Sequence, residues 1–126
     1  MSNVPKISEA EWEVMRVLWE KSPRTAGEIV DAVPDDNNWM PRTVKSLLNR
    51  LVKKGAVKYE ADGRTFYYSP AVTEEVCARA ESRSLLERVY GGALTPMMVH
   101  LIKETRLSPQ EIDELKRLLD KKGKRS

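Results

Sequence analysis

The chain has 126 residues, 40% of them hydrophobic and 33% charged, with a formal net charge of +3 and a mean hydropathy of −0.54. This composition describes a soluble globular protein of one modest domain or two small ones. No apolar run approaches the roughly 20 residues needed to span a bilayer, and the first residues carry neither a basic start nor an apolar signal core. The single cysteine, Cys77, excludes an internal disulfide and any cysteine-cluster metal site. A cytoplasmic chain without membrane insertion is therefore expected. The mild basic balance suits nucleic acid or an anionic surface but is equally common on proteins that bind neither.

In chain order, the first helix is announced by Ser8 followed three residues later by Glu11, a capping box. It runs over about 9–21 with Trp12, Met15, Leu18 and Trp19 on one stripe. Thr25 and Glu28 open a second helix over about 26–33, with Ile29, Val30 and Val33 inward and Pro34 beyond. After the loop "PDDNN", Pro41 opens a third helix that Gly55 closes as a C-cap. From Ala56 the period becomes two. Val57, Tyr59 and Ala61 alternate with Lys58 and Glu60, Asp62-Gly63 supplies a hairpin turn, and "RTFYYSP" returns with Phe66 and Tyr68 alternating until Pro70. Beyond Pro70 the pattern is helical throughout: about 73–91 from Thr73 to a Gly-Gly stop, 96–105 with Thr95 as cap and Pro96 in the first turn, and 109–122 behind the box Ser108/Glu111.

The expected fold is mainly α with a small β-hairpin: an N-terminal winged helix-turn-helix over 1–72, then a three-helix C-terminal dimerisation region over 73–126. The second part is too short to be comfortably stable alone. Its apolar positions Leu86, Val89, Tyr90, Met97, Met98, Leu101, Ile102, Ile112, Leu115, Leu118 and Leu119 read as a homodimer core.

The third helix carries the functional signal. Val44, Leu47, Leu48, Leu51 and Val52 form its apolar stripe, while the rest bears Arg42, Lys45, Ser46, Asn49 and Lys53, with Arg50 at the margin. Every charge from Pro41 to Lys54 is positive. Exposed helices usually mix signs for i,i+4 pairs worth about 0.2–0.5 kcal/mol each. This helix forgoes them, which calls for an anionic partner. Arg or Lys suits guanine, Asn suits adenine, and hydroxyls suit either. Third place in a helix-helix-helix-hairpin order is that of a recognition helix, and Arg64 would then sit at the wing tip beside a phosphate or in the minor groove. The DNA-binding candidates are Pro41, Arg42, Thr43, Lys45, Ser46, Asn49, Arg50, Lys53 and Arg64. The other class of reading is a winged-helix interaction module whose basic face binds an acidic protein. Without a nucleophile-base pair, a glycine-rich phosphate loop or a metal cluster, no enzyme, cofactor or metal is expected. His100 without ligand neighbours reads as a packing or hydrogen-bonding residue.

"KISEAEWEVMRVLWE", "WMPRTVKSLLNRLVKKGAV", "DGRTFYYSP", "SRSLLERVYGGAL" and "LSPQEIDELKRLL" together resemble the penicillinase repressor family of winged-helix regulators, the BlaI/MecI type. The resemblance implies a dimeric repressor of a β-lactamase or related operon, acting in antibiotic resistance, with one winged helix on each half of a palindromic double-stranded operator. It also implies release by proteolysis in the second helix of the dimer part, through a membrane sensor metalloprotease or a protease that it activates. The bond cut in relatives joins Asn to Phe, and the matching pair here is His100-Leu101. A second departure is Met40, where relatives often carry a serine that would cap the recognition helix.

Overall fold

The computed structural model describes residues 4–34 and 38–124. Eight elements follow one another: α1 (Glu9–Glu20), α2 (Ala26–Ala32), α3 (Pro41–Lys54), β1 (Val57–Asp62), β2 (Thr65–Pro70), α4 (Glu74–Tyr90), α5 (Leu94–Glu104) and α6 (Pro109–Gly123). Two compact units result, Met1–Ser82 and Arg83–Ser126. The first extends past the expected start of the helical region because Cys77, on α4, is buried in its core. Of the loop read from "PDDNN", residues 35–37 lie outside the described residues.

All three capping boxes form. Ser8, Thr25 and Ser108 each accept an amide hydrogen bond from the glutamate three residues on, whose carboxylate accepts from the cap amide in return. Each such cap is worth about 1 kcal/mol because it satisfies amides that the helix itself cannot. Thr73 caps α4, its Oγ1 accepting from the Val76 amide at 3.2 Å. Two helices lack a side-chain cap, α3 behind Met40 and α5, which starts at Leu94 behind Ala93. Thr95 lies inside that helix rather than before it.

In the first unit α1, α2 and α3 enclose a core of Val14, Met15, Leu18, Ile29, Val44, Leu48 and Leu51, each at most 1% exposed. The inward stripe of α1 differs from expectation. Val14 and Val17 are buried, whereas Trp12 and Trp19 are half-buried at its edge, stacked edge to face at 5.4 Å. Trp19 anchors the start of α4 by donating its indole N–H to the Val72 carbonyl at 2.9 Å. That apolar-body, polar-tip arrangement is typical of tryptophan at a core margin.

Gly55 turns the chain out of α3 at φ +82°, its amide donating to Val52 and that of Ala56 to Leu51. This Schellman pair sends Ala56 and Val57 straight into the core. β1 and β2 pair antiparallel with Val57 opposite Pro70 and Asp62 opposite Thr65. The two-residue loop is therefore Gly63-Arg64, one position later than the Asp62-Gly63 turn expected. Gly63 has φ +65° and Arg64 does not share the positive φ, the pattern of a II′ turn, which needs glycine only at its first central position. The hairpin is tied down by Arg24, in the loop between α1 and α2, which exchanges both backbone hydrogen bonds with Tyr68 at 3.0 and 2.8 Å. The wing thus grows from the core as the edge of a small three-segment sheet.

The second unit is different in kind. Among the described residues from Arg83 onward, Met97 alone is buried. Tyr90 and His100 join the end of α4 to α5, the tyrosine hydroxyl lying 3.1 Å from Nδ1. Val89, Leu94, Val99, Leu101, Ile102, Ile112, Leu118 and Leu119 are all exposed. No helix is long and apolar enough to cross a membrane among the described residues.

Candidate nucleic-acid interface

Burial of Val44, Leu47, Leu48 and Leu51 fixes the rotation of α3 about its axis, since these positions recur every three or four residues. The opposite face must then look outward. Pro41, Arg42, Lys45, Ser46, Asn49 and Lys53 are exposed, and Thr43 is half-buried at the first turn. Lys45 and Asn49, one turn apart, line an open groove together with Arg64, Thr65 and Phe66 of the hairpin and with Thr25, Ala26 and Gly27 at the N-terminal end of α2. So two of the side chains expected to reach base edges and the wing-tip arginine share one concavity, while Arg42, Thr43 and Ser46 do not line it. Among the described residues, Arg42, Lys45, Lys53 and Arg64 have no ion-pair partner.

Arg50 and Lys54 do not belong to this free set. Glu11 is completely buried at the start of α1, and its Oε2 accepts from Arg50 Nε at 3.2 Å while Oε1 accepts from the Ser8 amide at 2.8 Å and from Lys54 Nζ. Lys54 also donates to the Lys6 carbonyl at 2.8 Å. The one-sided charge of α3 is thus answered in part from another helix, which corrects the expectation that the basic face is wholly unpaired. Burial would raise the Glu11 pKa, but the hydrogen bonds from Lys54, the Ser8 amide and Arg50 prevail and hold it at about 2. Sequence inspection assigns Glu11 only its capping role, because a carboxylate 39 residues from Arg50 leaves no local signal.

Phe66 is the other residue that pattern reading places only in the hairpin. It is 45% exposed, packs on Tyr59 at a centroid distance of 5.0 Å and lines the groove. Its position follows from the register, which sets Phe66 opposite Ala61 on the face carrying Tyr59 and Tyr68. At the start of α3, Met40 is the N-cap without a side-chain hydrogen bond, and its carbonyl accepts from Thr43 and Val44. Asn38, at φ +52°, does not replace the missing cap.

The Penicillinase repressor family matches residues 7–121, which takes in every element just described except the last residues of α6. The chain belongs to the penicillinase repressor family. The Penicillinase repressor of Bacillus licheniformis is 37% identical over 120 residues, 95% of this chain and 94% of that protein. Methicillin resistance regulatory protein MecI of Mammaliicoccus sciuri is 33% identical over 117 residues, 93% of this chain and 95% of that one. In structure, the monomeric form of Bacillus licheniformis BlaI in complex with the blaP half-operator superposes with a TM-score of 0.52 at 38% identity, covering 60% of this chain and 93% of that one. For a penicillinase repressor, the outward face of α3 and the hairpin are the parts whose chemistry suits duplex DNA.

The residues expected at the dimer interface divide into three groups. Val89, Leu101, Ile102, Ile112, Leu118 and Leu119 are exposed, Leu86, Tyr90, Met98 and Leu115 are half-buried, and Met97 is already covered within its own chain. Met97 therefore packs at home rather than waiting for a second copy. His100 and Leu101 are both exposed in the middle of α5.

Proposed function

We propose that this DNA-binding repressor of the penicillinase repressor family acts as a homodimer on a palindromic operator, one winged helix to each half-site. The observation that carries the reading is the shared groove of Lys45, Asn49 and Arg64, beside cations that have no protein partner among the described residues. Pro41 and its neighbours bring α3 to the major groove by its N-terminal end. Arg42, Lys45 and Asn49 are assigned to base edges, Thr43 and Ser46 to bases or phosphates through their hydroxyls, and Lys53 and Arg64 to the backbone. The role is non-catalytic, in the cytoplasm, and requires neither cofactor nor metal.

Dimerisation rests on the second unit, whose helices leave six of the expected interface side chains open to solvent. A second copy is the partner that would cover them, and tethering two wings multiplies operator affinity without any new DNA contact. Release by proteolysis at His100-Leu101, through a membrane sensor metalloprotease or a protease it activates, is the matching proposal for induction, and its support is the resemblance of "LTPMMVHLIKE" to the helix cut in relatives.

The test is substitution of Arg42 and Lys45 by Ala, with binding measured on the operator and on duplexes altered one base pair at a time. A base-reading side chain should lose about 1–3 kcal/mol on the operator and relax preference at a defined position. Equal weakening on every sequence would remove that residue from readout and leave it a phosphate contact.

A further inference from the structure

Glu11 is the one fully buried charged residue among those described, and the role assigned to α3 does not require it. Its two carboxylate oxygens gather Arg50 and Lys54, both on α3, and Lys54 is held a second time by the Lys6 carbonyl. Of the five cations that α3 carries, Arg42, Lys45, Arg50, Lys53 and Lys54, two are thereby drawn onto α1, and the cluster they form with Glu11 has one net positive charge instead of two. Sequence-independent affinity for duplex DNA comes from cations that displace counterions from phosphates, at a cost of about 0.9 in the slope of log K against log salt per phosphate neutralised. A recognition helix with every cation free would bind any duplex more tightly and narrow its margin for the operator.

We infer that Glu11 is a specificity-setting positioning residue: by holding Arg50 and Lys54 against α1 it keeps them from phosphates and limits non-specific binding. This rests on the reading that α3 enters the DNA groove. The arrangement is suited to the task. The carboxylate is buried, and the Ser8 amide fixes it from the helix start. The lowered pKa keeps it charged throughout the physiological range.

The experiment measures the salt dependence of binding of the full chain to a mixed-sequence duplex by fluorescence anisotropy. Glu11→Gln keeps an acceptor for the Ser8 amide but removes the charge. It should tighten non-specific binding and steepen the slope by about 0.9 for each of the two released cations, about 1.8 per winged helix and hence about 4 per dimer. The triple variant carrying Arg50→Gln and Lys54→Gln as well should return to the wild-type slope. In the otherwise wild-type chain, Arg50→Gln and Lys54→Gln should each leave the slope unchanged, while Arg42→Gln flattens it. These last two arms decide the matter even if Glu11→Gln fails to fold. Flattening by Arg50→Gln or Lys54→Gln equal to that by Arg42→Gln would overturn the inference alone. A wild-type chain that binds duplex without salt dependence would overturn the α3 reading and the inference with it.

Discussion

Replacing Leu101 by Asp probes the dimer through one side chain. Leu101 is 45% exposed in the single chain. Burying a whole leucine is worth about 1.5–3 kcal/mol, so covering the exposed share contributes about 0.7–1.3 kcal/mol. A two-fold interface counts it twice, about 1.4–2.7 kcal/mol. Aspartate forfeits that and adds a poorly paired polar group on each side, at about 1–3 kcal/mol apiece. The dimer should therefore weaken by at least about 3 kcal/mol, a hundredfold or more in its dissociation constant. Sedimentation velocity over a dilution series reads this directly, and circular dichroism reports whether the helices survive. Met97→Asp is the contrasting variant. Met97 is 9% exposed within its own chain, so that change should lower stability as well as association. A Leu101→Asp chain with the wild-type dissociation constant would refute the assignment of the exposed α5 face to the interface.

Acid should weaken the first unit through Glu11. Its folded pKa of about 2 lies below the ordinary 4.5, so its contribution is complete above pH 4.5 and is lost as the pH falls towards 2. With Arg50 55% exposed, the amount at stake is reduced by solvent screening to about 1–3 kcal/mol. Denaturant titrations across that window should show a drop that Glu11→Gln largely removes; identical pH profiles would contradict the buried ion cluster. Gly55→Ala should cost about 1–2 kcal/mol, because a Cβ there meets open space and the penalty is that of φ +82° alone. Thermal unfolding should register it as a fall of several degrees, and an unchanged midpoint would deny the left-handed cap.

Features written in neighbouring residues were legible in the sequence. The boxes at Ser8, Thr25 and Ser108 each need only a hydroxyl and a glutamate three residues apart, and all three formed. The bounds of α3 follow from Pro41 at one end and Gly55 at the other. A local signal that is weak or has two solutions does not determine the structure. The glycine of "DGR" can serve either central position of a tight turn, and the strand register chose the first, shifting the turn to Gly63-Arg64. Thr95 reads as a cap because Pro96 favours a first turn, yet the helix begins two residues earlier than 96, at Leu94 behind Ala93. Glu11 shows what local reading misses altogether: the same carboxylate that closes a capping box also binds two cations from a distant helix. For the interface, residue types on α3 named Lys45 and Asn49, but only the folded hairpin brings Arg64 and Phe66 alongside them.

The central claim, sequence-specific binding by a symmetric pair of winged helices, is tested most directly by titrating the full chain against three duplexes: the palindromic operator defined by footprinting its own promoter, a single half-site, and a mixed sequence. Binding is expected to fall steeply with salt on all three, to favour the palindrome over the half-site, and to favour it over mixed sequence by roughly 10³-fold or more. Equal affinity for all three would contradict the account.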